Sequence, residues 1–286
     1  MITLHKSKFT AINYEKFLDP EDKNSSLQNY PLKVEEMQSM SDGWYDDPEQ
    51  FPEMMFHIFR TFLKEISTVE KHITFFDIGA AEGAWSCSIL EYFNSFDILA
   101  VEPDLPRLGQ FVKNLEASTK KFDIDPNTAN IDLFECLISD GLQETEFLRH
   151  YTCLQFGGHA GSSRIFKADQ PNRIGTDLEY EALPLDTFIE QYDEVDIIKI
   201  DVEGAELKVL AGAKKFIEKF KPIIFLEVHG GFNHGSVSIS QIKDIFDTYD
   251  IDYKFNLIES QPGPGELPFL AYYICVPPNS QLIFKP

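Results

Sequence analysis

The sequence predicts an α/β fold with a mostly parallel sheet of seven strands, helices flanking the sheet, and an antiparallel C-terminal edge. Three observations support this prediction. Five short apolar runs alternate with helix-length amphipathic segments. A glycine-bearing turn follows the first run directly. The last two apolar runs are joined by a segment rich in Gly and Pro, which is typical of an antiparallel pair.

The elements follow one another in a regular order along the chain. Residues 51–66 carry apolar side chains at helical spacing, which predicts one helix before the first strand. The alternating segments are predicted as strands over 74–78, 98–101, 131–138, 196–201 and 222–228, with helices over 84–93, 106–117, 205–220 and 239–249. The antiparallel pair is predicted over 253–258 and 269–276. We therefore predict an N-terminal extension with one long helix (1–70) and a second domain (71–286) with an insertion at about 139–185.

Composition narrows the classes of partner. The 286 residues include 47 Asp and Glu but only 25 Lys and Arg, a formal net charge of −22. This charge repels a phosphate backbone, so we expect no nucleic-acid partner.

No apolar run approaches the roughly 20 residues of a membrane span. The N-terminus lacks the apolar core of a signal peptide, so we expect a cytoplasmic location. Cys87, Cys136 and Cys275 lie in apolar segments, so we expect their thiols to be buried and reduced.

The segment ITFFDIGAAEGAWS (73–86) predicts a ligand site. It is typical of a buried strand, a turn over Gly79–Gly83 and the start of a helix, whose first N–H groups are free to bind a ligand. Its spacing differs from the nicotinamide fingerprint. Glu102 ends the next apolar run, where an acid can accept hydrogen bonds from both hydroxyls of a ribose. The pair predicts a nucleoside site without a pyrophosphate, which S-adenosylmethionine fits.

Further polar residues end the later strands, where ligands of parallel sheets bind. Asp201 ends the fourth strand, and Glu227 and His229 share one face at the end of the fifth. His229 is a candidate general base, while Asp201 and Glu227 are candidate ligands of a divalent cation. Helix capping and an ordinary polar strand end are the structural alternatives. The Ser139–Asp140 turn predicts either a contact with the adenine edge or a simple Asx turn.

Together these blocks resemble a known family. The set DIGAAEGAWS, VEP, ISD, LPLDTFI, IKIDVEGAE, VLAGA and KPIIFLEVHG is similar to the FkbM-type methyltransferases over roughly residues 74–277. These are S-adenosylmethionine-dependent O-methyltransferases of the seven-stranded Rossmann-like class. The resemblance implies cofactor contacts at Asp77, Gly79, Ala80, Gly83, Glu102, Ser139 and Asp140. It also places an acidic block on Asp201 and Glu203. Where the family usually carries Asn, this chain has Ala81, which removes a side-chain contact to the cofactor.

The resemblance implies transfer of a methyl group to a hydroxyl of a sugar, glycan or small metabolite. Either His229 takes the hydroxyl proton, or Asp201 and Glu227 hold Mg²⁺, which some relatives of this fold need. A non-catalytic scaffold that only binds the cofactor is the main alternative, because of Ala81. An N-methyltransferase is a lesser alternative, since IDVEGAE replaces the D/N-P-P-Y/F segment typical of that class. The insertion contains three basic residues, Arg164, Lys167 and Arg173. They indicate either an anionic acceptor or charge balance with neighbouring acidic residues. The sequence selects no oligomeric state.

Overall fold

The computed structural model describes residues 2–5, 54–125, 127–150, 163–165, 176–230, 237–261 and 270–278. Its strands are β1 (Ile2–His5), β2 (Ile73–Ile78), β3 (Phe96–Val101), β4 (Ala129–Phe134), β5 (Leu137–Ile138), β6 (Thr145–His150), β7 (Ser163–Ile165), β8 (Thr176–Leu183), β9 (Ile197–Ile200), β10 (Ile223–His229), β11 (Lys254–Gln261) and β12 (Leu270–Val276). Its helices are α1 (Met54–Ile66), α2 (Ala84–Tyr92), α3 (Leu105–Phe122), α4 (Glu206–Ala211), α5 (Lys214–Phe220) and α6 (Ile239–Thr248), with a 3₁₀ helix over Leu185–Gln191.

The chain divides into two compact units. The first consists of residues 1–73 and 80–135, and the second of residues 74–79 and 136–286. The predicted boundary after residue 70 stays a prediction. Eight strands belong to the large sheet. They include all seven strands expected from the sequence, so the predicted fold class is confirmed.

In the first unit, three strands run parallel in the order β1, β4, β3. The helices of this unit begin in different ways. The carboxylate of Asp104 caps α3 by accepting the backbone N–H of Arg107, whereas α2 begins after Gly83 with no side-chain cap. Trp85 of α2 packs against Phe59 of α1, with ring centroids 4.5 Å apart. Aromatic packing therefore joins the first two helices of this unit.

In the second unit, the strand order is β2, β9, β10, β12, β11. The first three strands are parallel, and β12 pairs antiparallel with both β10 and β11. The predicted antiparallel C-terminal pair is thus present, with β11 at the edge. Every residue of β9 and β10 is buried, as expected for central parallel strands. Because β2, β9 and β10 are parallel, their carboxyl ends lie at one edge.

Four predictions of local structure were incomplete. Strand β1 was not predicted, because its parallel partner β4 lies more than 120 residues further along the chain. The strand predicted over 131–138 is divided into β4 and β5, and β5 belongs to a separate four-stranded sheet of order β5, β8, β6, β7. The insertion at about 139–185 therefore contains strands where the sequence predicted only a long loop.

The helix predicted over 205–220 is also divided, into α4 and α5. Gly212 lies between them, and a Cβ atom at this position would come within 2.0 Å of the carbonyl oxygen of Ser139. Glycine both allows this contact and weakens a helix interior, so the helix is interrupted here.

Two expectations from composition can be compared with the structure. Cys87, Cys136 and Cys275 are buried and free of disulfide bonds, as predicted. Among the helices within the described residues, none combines the length and apolar character that a membrane crossing requires.

The basic residues of the insertion cannot be compared with their prediction. Lys167 and Arg173 lie outside the described residues, and for Arg164 only the strand backbone is described.

Candidate active site

The glycine turn after β2 has the predicted strand-turn-helix form. Gly79 has a φ of +79°, and a Cβ atom there would lie 1.8 Å from the backbone oxygen of Asp201. The N–H of Asp201 donates to the carbonyl of Ile78 at 3.1 Å. The end of β2 is therefore in direct backbone contact with the residue that follows β9. Only glycine fits this contact.

In the first unit, the rest of the turn leads into α2. Gly83 has a φ of +83°, and a Cβ atom there would lie 2.0 Å from the ring of Phe111. Ala81 also adopts a left-handed conformation, with a φ of 49°. Left-handed backbone is favourable for Gly and tolerated by Asn, but it strains alanine. The position at which the family usually has Asn is thus one that Asn suits by conformation.

Glu102 is fixed by the backbone around it. Its Oε2 accepts the N–H of Ala81 at 2.9 Å, and its Oε1 accepts the N–H of Asp104 at 2.8 Å. The side chain is buried, and burial raises the pKa of its carboxyl to about 7. Each oxygen retains a second lone pair, so this anchored carboxyl can still accept bonds from a pair of vicinal hydroxyls.

The Ser139–Asp140 turn shows a structural role for both side chains. Ser139 is fully buried, and its hydroxyl donates to Glu146, which in turn pairs with Lys208. Asp140 accepts the N–H of Leu142 at 3.0 Å, the local Asx-type bond that the sequence analysis gave as the alternative. The hydroxyl of Ser139 is therefore engaged within the protein, while Asp140 is partly exposed.

A group of titratable residues lies at the carboxyl ends of β9 and β10, within the second unit. Asp201, Glu227 and His229 each place one possible ligand atom here, a carboxylate oxygen or a ring nitrogen. These three atoms lie within 4.8 Å of one another. These are the three catalytic and metal-binding candidates of the sequence analysis. The side chain of Asp201 is 30 % exposed, whereas those of Glu227 and His229 are buried. Asp201 is thus the member of this trio that a ligand can reach.

His229 is surrounded by carboxylates. Its Nδ1 lies 2.7 Å from Oε1 of Glu206, and its Nε2 lies 3.4 Å from Glu227 and 3.5 Å from Glu203. Burial acts to lower the pKa of His229, but the hydrogen bond to Glu206 and the three carboxylate charges outweigh it and raise the pKa to about 10. At neutral pH the imidazole therefore already holds the proton that a general base would have to accept.

Glu206 was not among the site residues predicted from the sequence. It is fully buried, accepts the N–H of Gly204 at 2.9 Å and orients His229 from behind. The preceding turn is unusual, since Glu203 has a left-handed φ of 54° and Gly204 a φ of 101°. Backbone strain of this kind is concentrated at functional sites. The sequence contained one signal for Glu206, because it is the third acidic residue within the six residues 201–206.

Lys199 was also missed as a site residue. It is buried in the middle of β9, with its Nζ 3.5 Å from Asp77 and 3.4 Å from Asp201. Asp77, a predicted cofactor residue, is fully buried and faces this lysine. A charged residue inside a completely apolar strand is a detectable signal, because lysine is rarely buried without a partner.

A mostly parallel α/β sheet with polar groups at the carboxyl ends of β9 and β10 has the arrangement of the Rossmann-like class, in which ligands bind beyond the carboxyl ends of the strands. The sequence profile of the methyltransferase FkbM domain matches residues 77–255. This match includes every predicted site residue and more than half of the 286-residue chain. The chain belongs to the FkbM methyltransferase family.

Solved structures similar to this chain have low sequence identity to it. A methyltransferase FkbM from Methylobacillus flagellatus KT is 16 % identical, with a TM-score of 0.42 and coverage of 76 % of this chain and 47 % of that chain. A TehB-like SAM-dependent methyltransferase from Corynebacterium glutamicum is 7 % identical, with a TM-score of 0.42 and coverage of 86 % and 100 %. An rRNA methylase from Streptococcus thermophilus is 10 % identical, with a TM-score of 0.42 and coverage of 79 % and 98 %.

The chain spans about half the length of the FkbM methyltransferase from Methylobacillus, at 47 %. No curated protein matches the chain significantly in sequence. Family membership therefore rests on the profile match, and the acceptor of the methyl group has to be argued from the site.

Proposed function

We propose that this protein is an S-adenosylmethionine-dependent O-methyltransferase that acts on a hydroxyl of a sugar, glycan or small metabolite. Membership of the FkbM family supports methyl transfer. The observation that carries the proposal is the position of Asp201, a partly exposed carboxylate beside Glu227 and His229 and in backbone contact with Gly79. A carboxylate next to the cofactor turn is suited to receive a proton from an acceptor hydroxyl.

For the cofactor, we propose the residues that the family pattern implies. They are Asp77, Gly79, Ala80, Gly83, Glu102, Ser139 and Asp140. The anchored carboxyl of Glu102 supports a ribose contact, since both of its oxygens are held in place by backbone N–H groups. Because the hydroxyl of Ser139 is bonded to Glu146 and its N–H to the carbonyl of Leu183, we propose that Ser139 contributes its backbone carbonyl.

When bound, S-adenosylmethionine supplies an electrophilic methyl group, whose bond to sulfur breaks as a bond to the acceptor oxygen forms. The protein has to align the acceptor and remove its proton. His229 was predicted as the base, but its imidazole is buried and already holds a proton, so we propose that the partly exposed Asp201 takes this role. His229 then acts as a buried cation that balances the carboxylates around Asp201.

The same residues fit a divalent cation. Two carboxylates and an imidazole offer ligand atoms within 4.8 Å of one another, a donor set that Mg²⁺ or Mn²⁺ can use. Asp201 and Glu227 would hold the ion, and His229 would join them through Nε2 after losing the proton that it holds without the ion, with Glu206 orienting the ring. When bound, the ion would lower the pKa of the acceptor hydroxyl. A strong chelator distinguishes this version from the metal-free one.

The net charge of −22 supports an acceptor other than nucleic acid. This exclusion remains part of the proposal, because a local basic surface can overcome an unfavourable net charge. The acceptor assays should therefore include an RNA as well as sugars, amino sugars and phenols. Transfer to the amine of an amino sugar would instead favour the N-methyltransferase alternative.

The experiment is transfer of a labelled methyl group from S-adenosylmethionine to this panel of acceptors, with and without a chelator. We expect transfer to a hydroxyl, reduced by at least about a hundredfold in Asp201→Asn, because general-base assistance contributes 10²–10⁴-fold. Asp244→Asn, on the exposed side of α6, is the matched control and should retain activity. Full activity of Asp201→Asn at saturating cofactor would refute the role of Asp201. Cofactor binding without transfer to any acceptor would favour the scaffold alternative.

A further inference from the structure

Lys199 is placed where a charge is costly. It is the third residue of β9, which is hydrogen-bonded on one side to β2 and on the other to β10. Its register partners are Asp77 on β2 and Phe225 on β10, and its exposed fraction is 2 %. An ammonium group at such a position is tolerated only when nearby groups satisfy it.

Three acceptors surround the Nζ atom of Lys199. It donates to the carbonyl oxygen of Gly79, and it lies 3.5 Å from Oδ1 of Asp77 and 3.4 Å from Oδ2 of Asp201. The Gly79 carbonyl accepts a hydrogen bond, whereas the two carboxylates are ion-pair partners that balance the buried charge. These three partners belong to two strand ends, those of β2 and β9.

Lys199 remains a cation in this environment. Burial acts to lower its pKa, but the charges of Asp201, Asp77 and Glu227 outweigh burial and raise the pKa above its usual value. Its Nζ is enclosed by the Gly79 carbonyl and the carboxylates of Asp77 and Asp201, so the role of the lysine has to come from the groups that it holds in place.

Neutralising Asp77 does not by itself account for these contacts. A lysine that served only Asp77 would have no need to contact the turn carbonyl or the carboxylate of Asp201. Lys199 contacts Oδ2 of Asp201, while the side chain of Asp201 stays 30 % exposed. The backbone contacts of Gly79 and Ile78 with Asp201 join the same two chain segments a second time.

We propose that Lys199 is a positioning residue, which holds the Gly79 carbonyl of the cofactor turn and the Asp201 carboxylate in a fixed relation to one another. The turn is then preformed for the cofactor, and Asp201 is held beside it. This inference rests on the proposed function, because it assumes that the turn binds S-adenosylmethionine. It adds a residue that the family pattern did not supply.

The test measures the affinity for S-adenosylhomocysteine by calorimetry and the thermal unfolding midpoint of the full chain. Lys199→Met keeps the length and apolar stem of the side chain but leaves Asp77 as an uncompensated buried charge, so this variant can fail to fold. The double variant Lys199→Met with Asp77→Asn removes that charge, and Asp77→Asn alone is its matched control. We expect the double variant to unfold near the temperature of the control but to bind at least about tenfold more weakly, as expected for loss of a charged hydrogen bond.

A second double variant makes the test decisive. Lys199→Gln with Asp77→Asn has the same charge as the methionine variant but retains an N–H donor for the Gly79 carbonyl, so we expect it to bind more tightly than the methionine variant. Equal affinities of Asp77→Asn and both double variants would overturn the positioning role. If the wild-type protein does not bind S-adenosylhomocysteine, the proposed function itself fails. Wild-type binding with no effect of Lys199 refutes this inference alone.

Discussion

Ala81 is a residue whose backbone conformation conflicts with its side chain. Its φ of 49° is in the left-handed region, which costs an ordinary L-residue about 1 kcal/mol or more. Its N–H donates to Glu102, so the conformation is fixed by the same contact that orients the predicted ribose acid. The strain is thus stored in the turn that we propose to bind the cofactor.

We expect Ala81→Asn to stabilise the protein by about 0.5–1 kcal/mol, because Asn adopts left-handed backbone more readily than Ala. Urea unfolding monitored by circular dichroism measures this difference. Ala211→Asn is the control, since Ala211 lies exposed at the end of α4 and Asn is the poorer helix former. Lower stability of Ala81→Asn would show that the turn is not strained at this position.

Glu135, directly after β4, is a buried acid for which the proposed mechanism has no role. Its side chain is buried, and its Oε2 has no hydrogen-bond partner within the described part of the chain. Burial raises the pKa of its carboxyl from 4.5 to about 7. Between these two pH values the folded protein keeps a proton that the unfolded chain releases, so stability falls as the pH rises from 4.5 to 7.

We therefore expect Glu135→Gln to be more stable than the wild type at pH 8, by about 1–3 kcal/mol, the range for an uncompensated buried polar group. Below pH 4.5 the difference should vanish, because the carboxyl is then protonated in both the folded and the unfolded state. Urea unfolding at the two pH values measures the effect. Glu116→Gln, at an exposed position of α3, should show no pH-dependent gain. A pH-independent effect at Glu135 would contradict this account.

At the level of single side chains, strand-end reasoning predicted which polar groups come together. Asp201, Glu227 and His229 were predicted together because they end neighbouring parallel strands, and the structure brings them within 4.8 Å. The protonation of His229 could not be predicted, since it depends on Glu206 and Glu203 behind and beside the ring. The contact of Lys199 with Gly79 joins residues 120 positions apart and has no local sequence signal.

At the level of elements, Gly83 and Gly109 allow the same substitution to be compared in two settings. Gly83 has a left-handed φ and packs against the ring of Phe111, whereas a Cβ atom at Gly109, within α3, would meet nothing within 4 Å. We expect Gly83→Ala to destabilise the protein by about 2–4 kcal/mol through backbone strain and overpacking. Gly109→Ala should stabilise it by about 0.5–1 kcal/mol through helix propensity.

Urea unfolding of the two variants tests this difference in sign. The account of the turn would be wrong if Gly83→Ala were as stable as the wild type. It would also be wrong if Gly83→Ala stabilised the protein as Gly109→Ala is expected to do, since the backbone strain and the contact with Phe111 would then have no cost.

Apart from β1, the strands of the large sheet were predictable because they contain apolar runs separated by helical or turn-rich segments. The strands of the insertion were not, because β6 and β8 have few apolar residues, and within the described part of the chain they pair with each other and with the short strands β5 and β7. The break between α4 and α5 depends on the backbone of Ser139 meeting Gly212. Local periodicity contains no information about such a contact.

At the level of the whole molecule, the net charge of −22 is the main electrostatic feature. Repulsion among excess carboxylates destabilises the compact state, and salt screens it over a Debye length of about 10 Å at 0.1 M. We expect the thermal unfolding midpoint to rise by a few degrees, about 2–5 °C, between 0.02 and 0.5 M NaCl. Differential scanning calorimetry measures this change, with KCl as a control for ion-specific effects. A midpoint that falls with salt would mean that ion pairs outweigh net repulsion.

The central claim is that the turn after β2 and the anchored Glu102 bind S-adenosylmethionine. Calorimetric titration with this cofactor, with and without Mg²⁺, tests it most directly. We use Glu102→Gln as the variant, because its amide oxygen can still accept a backbone N–H from the turn. We expect one cofactor per chain and binding about tenfold or more weaker in Glu102→Gln, as for loss of a charged hydrogen bond. Absence of binding to the folded wild-type protein, or equal affinity of the variant, would contradict the account.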